Sequence, residues 1–278
     1  MILNTKRDGH VHSTYCPHGS NDTLDMYIDT ALKNGITEIT FTEHMPLPME
    51  DPSPRKNSAL PMERLEEYIK GITELKEKVK DKIKVNLGLE VDYVEGYEEE
   101  TKAILNKYGK YLDDAILSVH IVKFQGEYYQ IGNGSDMIGE LVEKIGGMDK
   151  LYDLYYETML KSIKCDLGAF KPKRIGHPTL VRKYKADFPN EKYNIKLLES
   201  ILKEMKKGNY EIDLNTSGLR RAKCGEVHPQ GIFLDLCLKY NIPMVLGSDS
   251  HSSKYVGVEF EKVANMIFPD SEAIKKTL

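Results

Sequence analysis

Short apolar runs alternate with amphipathic segments along almost the whole chain. The apolar runs are rich in Val, Ile and Leu and predict seven strands, at residues 7–12, 38–44, 83–92, 113–120, 173–177, 210–218 and 243–247. Between them, apolar residues spaced three or four apart predict helices at 24–34, 62–80, 97–111, 139–164, 195–207 and 231–240, with a further helical stretch from about 254. Alternation of this kind is typical of a parallel sheet, either open or closed into a barrel.

Histidines interrupt this pattern at particular places, the ends of the predicted strands. Six of the eight histidines lie at or just past a strand end, and no histidine lies on a predicted helix; the six are His10, His12, His44, His120, His177 and His251. His18 lies in the loop after the first strand, and Glu90 and Asp249 end two strands. A barrel builds its site from the carboxyl ends of many strands, whereas an open sheet uses one crevice. This distribution favours a barrel. The number of strand–helix repeats, which is near eight, favours it as well.

The pairs His10/His12 and Asp249/His251 each place two polar side chains on one face, because strand residues two apart point the same way. Alone, a His-x-His motif is a weak signal for a metal site. Seven histidines and two carboxylates are too many ligands for one ion, since zinc takes about four. Nine protein ligands fit three ions if Glu90 bridges two of them. Imidazole ligands suit zinc, iron or manganese, and three divalent cations call for an anionic substrate, for which a phosphate monoester is the natural choice.

Composition limits the remaining possibilities. The 278 residues carry a formal net charge of −4 and no long basic run, which argues against a nucleic-acid partner. No apolar stretch is long enough to span a membrane, and the amino terminus becomes polar too soon for a signal peptide. We therefore expect a single domain over residues 1–278, located in the cytoplasm, with four free cysteines. Cys16 lies between two expected ligands, but we interpret it as a buried bystander.

The ordered motifs DGHVHS, TEH, GLEVD, SVH, GHP and GSDSH resemble those of the polymerase and histidinol phosphatase (PHP) superfamily, over essentially the whole chain. The resemblance implies a distorted (β/α)7 barrel with a trinuclear metal site at the carboxyl ends of its strands. One metal would take His10, His12, Glu90 and Asp249; a second would take Glu90, His120 and His177; and a third would take His18, His44 and His251.

Three further motifs, FTEHMPLP, GHPTLVRKY and NTSGLRR, are more similar to the histidinol-phosphatase members than to the polymerase-linked ones. This implies a phosphomonoesterase of histidine biosynthesis that hydrolyses L-histidinol phosphate to L-histidinol and phosphate by attack of a metal-bridging hydroxide. The alternatives are a phosphoesterase acting on nucleotides or nucleic-acid ends, and a non-catalytic metal-binding domain. The metal-dependent amidohydrolase barrels also open with His-x-His. Their pattern has a bridging lysine, whereas this sequence has Glu90 and the closing Asp249-x-His251 instead.

Several other residues are candidates for catalysis beside Glu90 and Asp249. Arg182 and Arg220 follow predicted strands and are placed to grip phosphate oxygens, whereas we expect Arg221 to point elsewhere. His228 is interpreted as a proton donor, a pocket residue or a loop histidine without a role. Asp8 is expected to orient a ligand histidine. The Pro-rich segment 45–61 is either a lid or a connection, and the sequence predicts no oligomeric state.

Overall fold

Seven parallel strands form the centre of the molecule in the computed structural model, which describes residues 3–269. The strands are β1 (Arg7–Val11), β2 (Glu38–His44), β3 (Lys84–Asp92), β4 (Asp114–Ser118), β7 (Arg174–Ile175), β8 (Glu211–Asn215) and β9 (Met244–Gly247). They pair in chain order. Backbone hydrogen bonds from His12 to Ser250 (2.8 Å) and from Asp249 to His10 (2.7 Å) join β9 to β1. The predicted distorted (β/α)7 barrel is confirmed.

Eight helices accompany the strands among the described residues. They are α1 (Leu24–Lys33), α2 (Leu65–Val79), α3 (Glu98–Tyr108), α4 (Ser135–Ile145), α5 (Met148–Lys164), α6 (Ile195–Lys207), α7 (Ile232–Lys239) and α8 (Phe260–Ile267). The helical stretch predicted over 139–164 is divided between α4 and α5 at Gly146 and Gly147, which both have positive φ. The last helix begins six residues later than predicted, because residues 253–255 form a 3₁₀ turn instead. No helix in the described range is long and apolar enough to cross a membrane.

The sequence pattern failed to indicate a hairpin of two short antiparallel strands, β5 (Ile121–Phe124) and β6 (Glu127–Gln130). Its turn is Gln125-Gly126, with φ of 51° and 88°. Positive φ at both central residues gives the tight turn whose twist matches the strands that it joins. The hairpin leaves the barrel directly after β4, so residues from Gln130 onward can extend over the carboxyl ends of the strands.

The distortion of the barrel is concentrated at β7, which pairs with β4 through only Arg174 and Ile175. The next residue must be glycine, because a Cβ at Gly176 would lie 1.9 Å from the Ser118 Oγ. Beyond it, His177 takes a φ of +21°, a value that non-glycine residues rarely adopt. The chain thus leaves the sheet abruptly and turns His177 into the site.

Candidate metal centre and active site

Each predicted ligand lies at the carboxyl end of a barrel strand or in the loop that follows one. His10 lies near the end of β1 and His12 directly follows that strand, β2 ends at His44, and β3 carries Glu90 near its end. The others follow β4, β7 and β9 or lie in the loop after β1; they are His120, His177, Asp249, His251 and His18. Asp249 has a φ of 50°, and such local strain is often found at functional sites.

The histidines are arranged as three pairs in which two Nε2 atoms face each other. The separation is 3.2 Å in the first pair (His10 and His12) and in the second pair (His120 and His177), and 3.1 Å in the third pair (His18 and His251). Two nitrogens held at about 2.0–2.1 Å by one tetrahedral zinc ion lie roughly 3.3 Å apart. All three separations are therefore close to those of nitrogens sharing a metal.

Hydrogen bonds at the opposite ring nitrogens fix the proton positions in the first pair. The Nδ1 of His10 lies 2.8 Å from Asp213, and the Nδ1 of His12 lies 3.1 Å from Glu43. Carboxylates accept, so each Nδ1 carries the proton and each neutral ring has a bare lone pair on Nε2. Two lone pairs 3.2 Å apart repel each other unless a cation lies between them. The first pair is therefore built to hold a cation.

In the third pair, both Nδ1 atoms also donate hydrogen bonds, but the acceptors are backbone carbonyls. His18 donates from Nδ1 to the Asn57 carbonyl (2.9 Å), and His251 donates from Nδ1 to the Asp249 carbonyl (3.2 Å). In the second pair, the Nδ1 of His120 donates to Asp92 at 2.8 Å. Five imidazoles are thus held by a hydrogen bond on Nδ1 with Nε2 left to bind, which is how metal-ligating histidines are usually oriented.

Glu90 lies between the first and second pairs and is 1% exposed. Its Oε2 is 3.5 Å from the Nε2 atoms of both His10 and His12, and its Oε1 is 2.9 Å from the Nε2 of His177. His44 is buried beside it, with its Nδ1 3.0 Å from Oε2 but no hydrogen bond to either ring nitrogen. Buried polar atoms without partners are rare, and here they surround one carboxylate.

The electrostatics of the cluster also call for cations. Burial opposes charge on His10, but Asp213, Glu90 and Asp249 outweigh it and raise its pKa to about 10. Burial likewise opposes charge on His120, yet Asp92 and Glu90 raise its pKa to about 9. Without cations, buried carboxylates hold protons on imidazoles whose lone pairs are positioned to bind. Metal ions supply that charge and leave the rings neutral, so the chain contains a His/Asp/Glu cluster able to bind metal.

A cavity of about 790 Å³ opens over this cluster. It is lined by predicted ligands, by cationic side chains that include Lys183, Arg220 and Arg221, and by four residues of the Pro-rich segment, Pro54, Arg55, Asn57 and Ser58. Arg220 is half-buried and donates to the Ser248 carbonyl (2.6 Å) and to the Thr216 hydroxyl (3.3 Å). Arg221 also lines the cavity, so the expectation that it points elsewhere is wrong.

Arg182 does not line this cavity, contrary to its predicted role in phosphate binding. Its guanidinium is buried and hydrogen-bonds to both carboxylate oxygens of Glu226, at 2.7 and 3.0 Å. It also donates to Glu191, to the Asn190 carbonyl and to the Tyr193 hydroxyl. A guanidinium whose N–H donors are already occupied by protein acceptors cannot bind a substrate phosphate. Arg182 instead joins the segment after β7 to the loop that follows β8.

Of the three interpretations of His228, the structure favours a loop histidine without a catalytic role. His228 is 1% exposed and absent from the cavity wall, with Nδ1 2.9 Å from the Thr179 hydroxyl and Nε2 3.7 Å from the Cys224 thiol. Burial, together with His177, lowers its pKa to about 3. A neutral, enclosed imidazole has no proton to give to a substrate at neutral pH, so His228 packs the loop.

Sequence reasoning missed the three carboxylates that orient the ligand histidines: Glu43, Asp92 and Asp213. Asp8, which was expected in this role, contacts no described imidazole nitrogen; it accepts from the backbone N–H groups of His10 (3.3 Å), Ser248 (2.9 Å) and Gly257 (2.8 Å). Part of the signal was present, because Glu43 and Asp92 also lie at the carboxyl ends of β2 and β3, whereas Asp213 lies in the middle of β8. Asp8 lies earlier on its strand and holds β1 against the chain after β9.

The fold and the site together define a metal-binding β/α barrel with its centre at the carboxyl ends of seven strands. The PHP domain model matches residues 8–217, and the chain belongs to the PHP-domain family. A histidinol-phosphatase of Bacillus subtilis (strain 168) is 42% identical over 92% of this chain and 97% of its own length.

Two solved structures are similar to the whole barrel. A candidate histidinol phosphatase from Listeria monocytogenes is 33% identical with a TM-score of 0.87, over 92% of this chain and 99% of that chain. Histidinol phosphate phosphatase from Lactococcus lactis, solved with zinc, L-histidinol and phosphate, is 21% identical with a TM-score of 0.71, over 96% and 94% of the two chains. The second shares the fold, and the family prediction made from the motifs is confirmed.

Proposed function

We propose that this protein is a phosphomonoesterase that hydrolyses L-histidinol phosphate to L-histidinol and phosphate, as a step of histidine biosynthesis. The observation that carries the chemistry is the set of three imidazole pairs whose Nε2 atoms face each other, with Glu90 between the first and second pairs. The 42% identity to the Bacillus subtilis histidinol-phosphatase, over nearly all of both chains, supports the substrate. The cytoplasmic location, the single domain over residues 1–278 and the absence of a nucleic-acid partner stay predictions.

The proposed cofactors are three divalent transition-metal ions, zinc, iron or manganese, one for each imidazole pair. Glu90 and Asp249 complete the site of His10 and His12, since Asp249 Oδ1 lies 3.4 Å from the Nε2 of His12. Glu90 also reaches the pair His120 and His177. His44 joins His18 and His251, with its ring centroid 5.1 Å from that of His18.

When bound, such ions lower the pKa of a coordinated water from 15.7 to about 7 and neutralise phosphoryl oxygens. The protein contributes the rigid placement of that chemistry. Glu90 is fixed by a hydrogen bond from the Ser118 hydroxyl (2.6 Å), and the rings are fixed by their Nδ1 partners. A preorganised site of this kind needs little rearrangement as charge develops in the transition state.

Arg220 is the proposed phosphate-binding residue. Its described hydrogen bonds occupy two of five N–H donors, and no described carboxylate pairs with it within 4 Å. A guanidinium on the cavity wall with spare donors suits a dianion. Its stacking on the Tyr255 ring, 4.8 Å from the centroid, limits its motion.

The test is phosphate release from L-histidinol phosphate, sugar phosphates and nucleotides after removal of metal and reconstitution with zinc, manganese or iron(II). We expect preferential turnover of L-histidinol phosphate, abolished by chelators, with close to three ions per chain by elemental analysis. Faster turnover of nucleotides would contradict the substrate. Activity in protein that holds one ion or none would contradict the trinuclear site.

A further inference from the structure

Lys183 lies on the cavity wall and is neither a proposed metal ligand nor the proposed phosphate-binding residue. Lys183 lies six residues beyond His177, and the two are connected by a tight 3₁₀ turn. Backbone hydrogen bonds run from Leu180 to the His177 carbonyl (2.9 Å) and from Lys183 to the Leu180 carbonyl (2.8 Å). This short tether keeps Lys183 beside the predicted ligand His177, and both side chains line the same cavity.

Lys183 differs from the buried arginines Arg174 and Arg182 in having no acidic partner. Arg174 and Arg182 each lie within 4 Å of carboxylates, whereas no described carboxylate lies that close to Lys183. Its one described hydrogen bond goes from Nζ to the Gly132 carbonyl, at 2.7 Å. An ammonium group has three donors, so two are free for a ligand in the cavity.

A phosphate ester of an alcohol needs a proton donor, because an alkoxide is a poor leaving group. Within the described cavity wall, the histidines are proposed ligands and arginine does not release its proton at neutral pH. Lys223 is paired with Asp187 at 2.6 Å, which raises its pKa. His228, the donor suggested by the sequence, lies outside the cavity. Lys183 is the cavity residue that combines a free ammonium with a place beside the ligands.

We propose, building on the proposed function, that Lys183 is the general acid that protonates the leaving oxygen of the phosphate monoester. As water oxygen bonds to phosphorus, the ester P–O bond breaks and its electron pair stays on the alcohol oxygen. That oxygen takes a proton from the Lys183 ammonium, which gives neutral alcohol and a neutral amine. The proton that the attacking water loses restores the ammonium, so the net reaction is ester plus water to alcohol plus phosphate.

The surroundings of Lys183 suit proton transfer near neutral pH. Burial and the Arg221 guanidinium lower its pKa to about 7, while Asp249 and the Cys224 thiol act in the opposite direction. An efficient general acid has a pKa near the working pH. Since the protonated form is the active one, turnover of an alkyl phosphate should fall as pH rises through this pKa. A bound phosphate dianion favours the ammonium and moves that fall to higher pH.

The experiment compares two classes of substrate in the metal-loaded full-length protein. Lys183→Met should lower kcat for L-histidinol phosphate by about 10²–10⁴-fold, the usual contribution of general acid catalysis. Turnover of 4-nitrophenyl phosphate should be nearly unchanged, because its phenolate leaves without a proton. Lys183→Arg should be as slow as Lys183→Met on the alkyl ester, since a guanidinium keeps the charge but does not release its proton.

Equal loss on both substrates, or rescue by Lys183→Arg, would overturn the proposal in favour of a phosphate-binding role; no loss on either would overturn it outright. Lys203→Met, an exposed change on α6, is the matched control. Elemental analysis and thermal unfolding establish that each variant is loaded and folded, and Lys183→Gln provides a second neutral variant. If the wild-type protein hydrolyses other alkyl phosphates but not L-histidinol phosphate, the substrate is wrong. The same alkyl-to-aryl comparison then still tests Lys183.

Discussion

The two ends of the barrel treat buried charge in opposite ways. At the amino-terminal end, Arg174 is 1% exposed and lies within 4 Å of Asp114 and Glu211, while Arg7 lies within 4 Å of Asp114 and Glu38. These cations and carboxylates neutralise one another. At the carboxyl-terminal end, imidazoles and carboxylates face one another, and no described lysine or arginine lies within 4 Å of Glu90 or Asp249.

The difference separates a structural charge network from a functional one. A complete network closes the bottom of the barrel, as expected for the end of such barrels that contributes stability. An incomplete network at the carboxyl-terminal end leaves sites that metal ions can occupy. Four substitutions test this comparison, and the largest expected effect comes first.

Glu90→Gln should reduce kcat by orders of magnitude and lower the metal content. The substitution removes the one carboxylate that lies between the first and second imidazole pairs and contributes charge to both. Kinetics and elemental analysis on the same sample provide the measurement. Glu211→Gln, at the opposite end of the barrel, is the control and should retain metal and activity. Normal turnover of Glu90→Gln with all metal retained would show that Glu90 does not bridge.

Arg174→Met should lower the free energy of unfolding by about 3 kcal/mol, because it leaves Asp114 and Glu211 without their buried partner. We expect a loss at the lower end of the usual range for removing one partner of a buried ion pair, since Asp114 still pairs with Arg7. Denaturant unfolding of the metal-free protein measures the effect. Metal content and KM should be unchanged, and a loss of metal from this variant would contradict the separation of the two ends.

Asp213→Asn should weaken metal binding by about 10–100-fold, the usual cost of losing a carboxylate that orients a ligand histidine. Asn cannot hold the Nδ1 proton of His10 as a carboxylate does. Titration against a competing chelator gives the affinity, with the exposed Asp235→Asn as the control. Unchanged affinity would mean that the strand alone positions His10.

Arg220→Ala should weaken inhibition by inorganic phosphate by roughly tenfold, as one charged hydrogen bond is worth about 1.5 kcal/mol or more. Metal content should stay constant. The comparison variant is Arg182→Met, which should lower the unfolding temperature and leave phosphate inhibition unchanged, since its guanidinium is occupied by Glu226. The reverse result, with Arg182 controlling phosphate binding, would restore the role expected from the sequence.

The ligand positions could be predicted from the sequence because they depend on local periodicities. A two-residue repeat sets the face of His10 and His12, and the carboxyl ends of parallel strands meet whatever the details of packing. The hairpin β5–β6 was missed because eight residues around a tight turn give too little periodicity to stand out. Glu43, Asp92 and Asp213 lay on predicted strands, but nothing local distinguishes a carboxylate that orients a ligand.

The sequence by itself therefore determined the barrel, the family and the imidazole cluster, whereas the tertiary structure decided which cations face the substrate. Arg182 and Lys183 are adjacent in the chain, yet Arg182 is held by Glu226, 44 residues away, and Lys183 lines the cavity. The direction of a loop side chain depends on such distant partners and not on its neighbours in sequence. For the same reason, His228 resembled a proton donor until Thr179 and Cys224 were seen to enclose it.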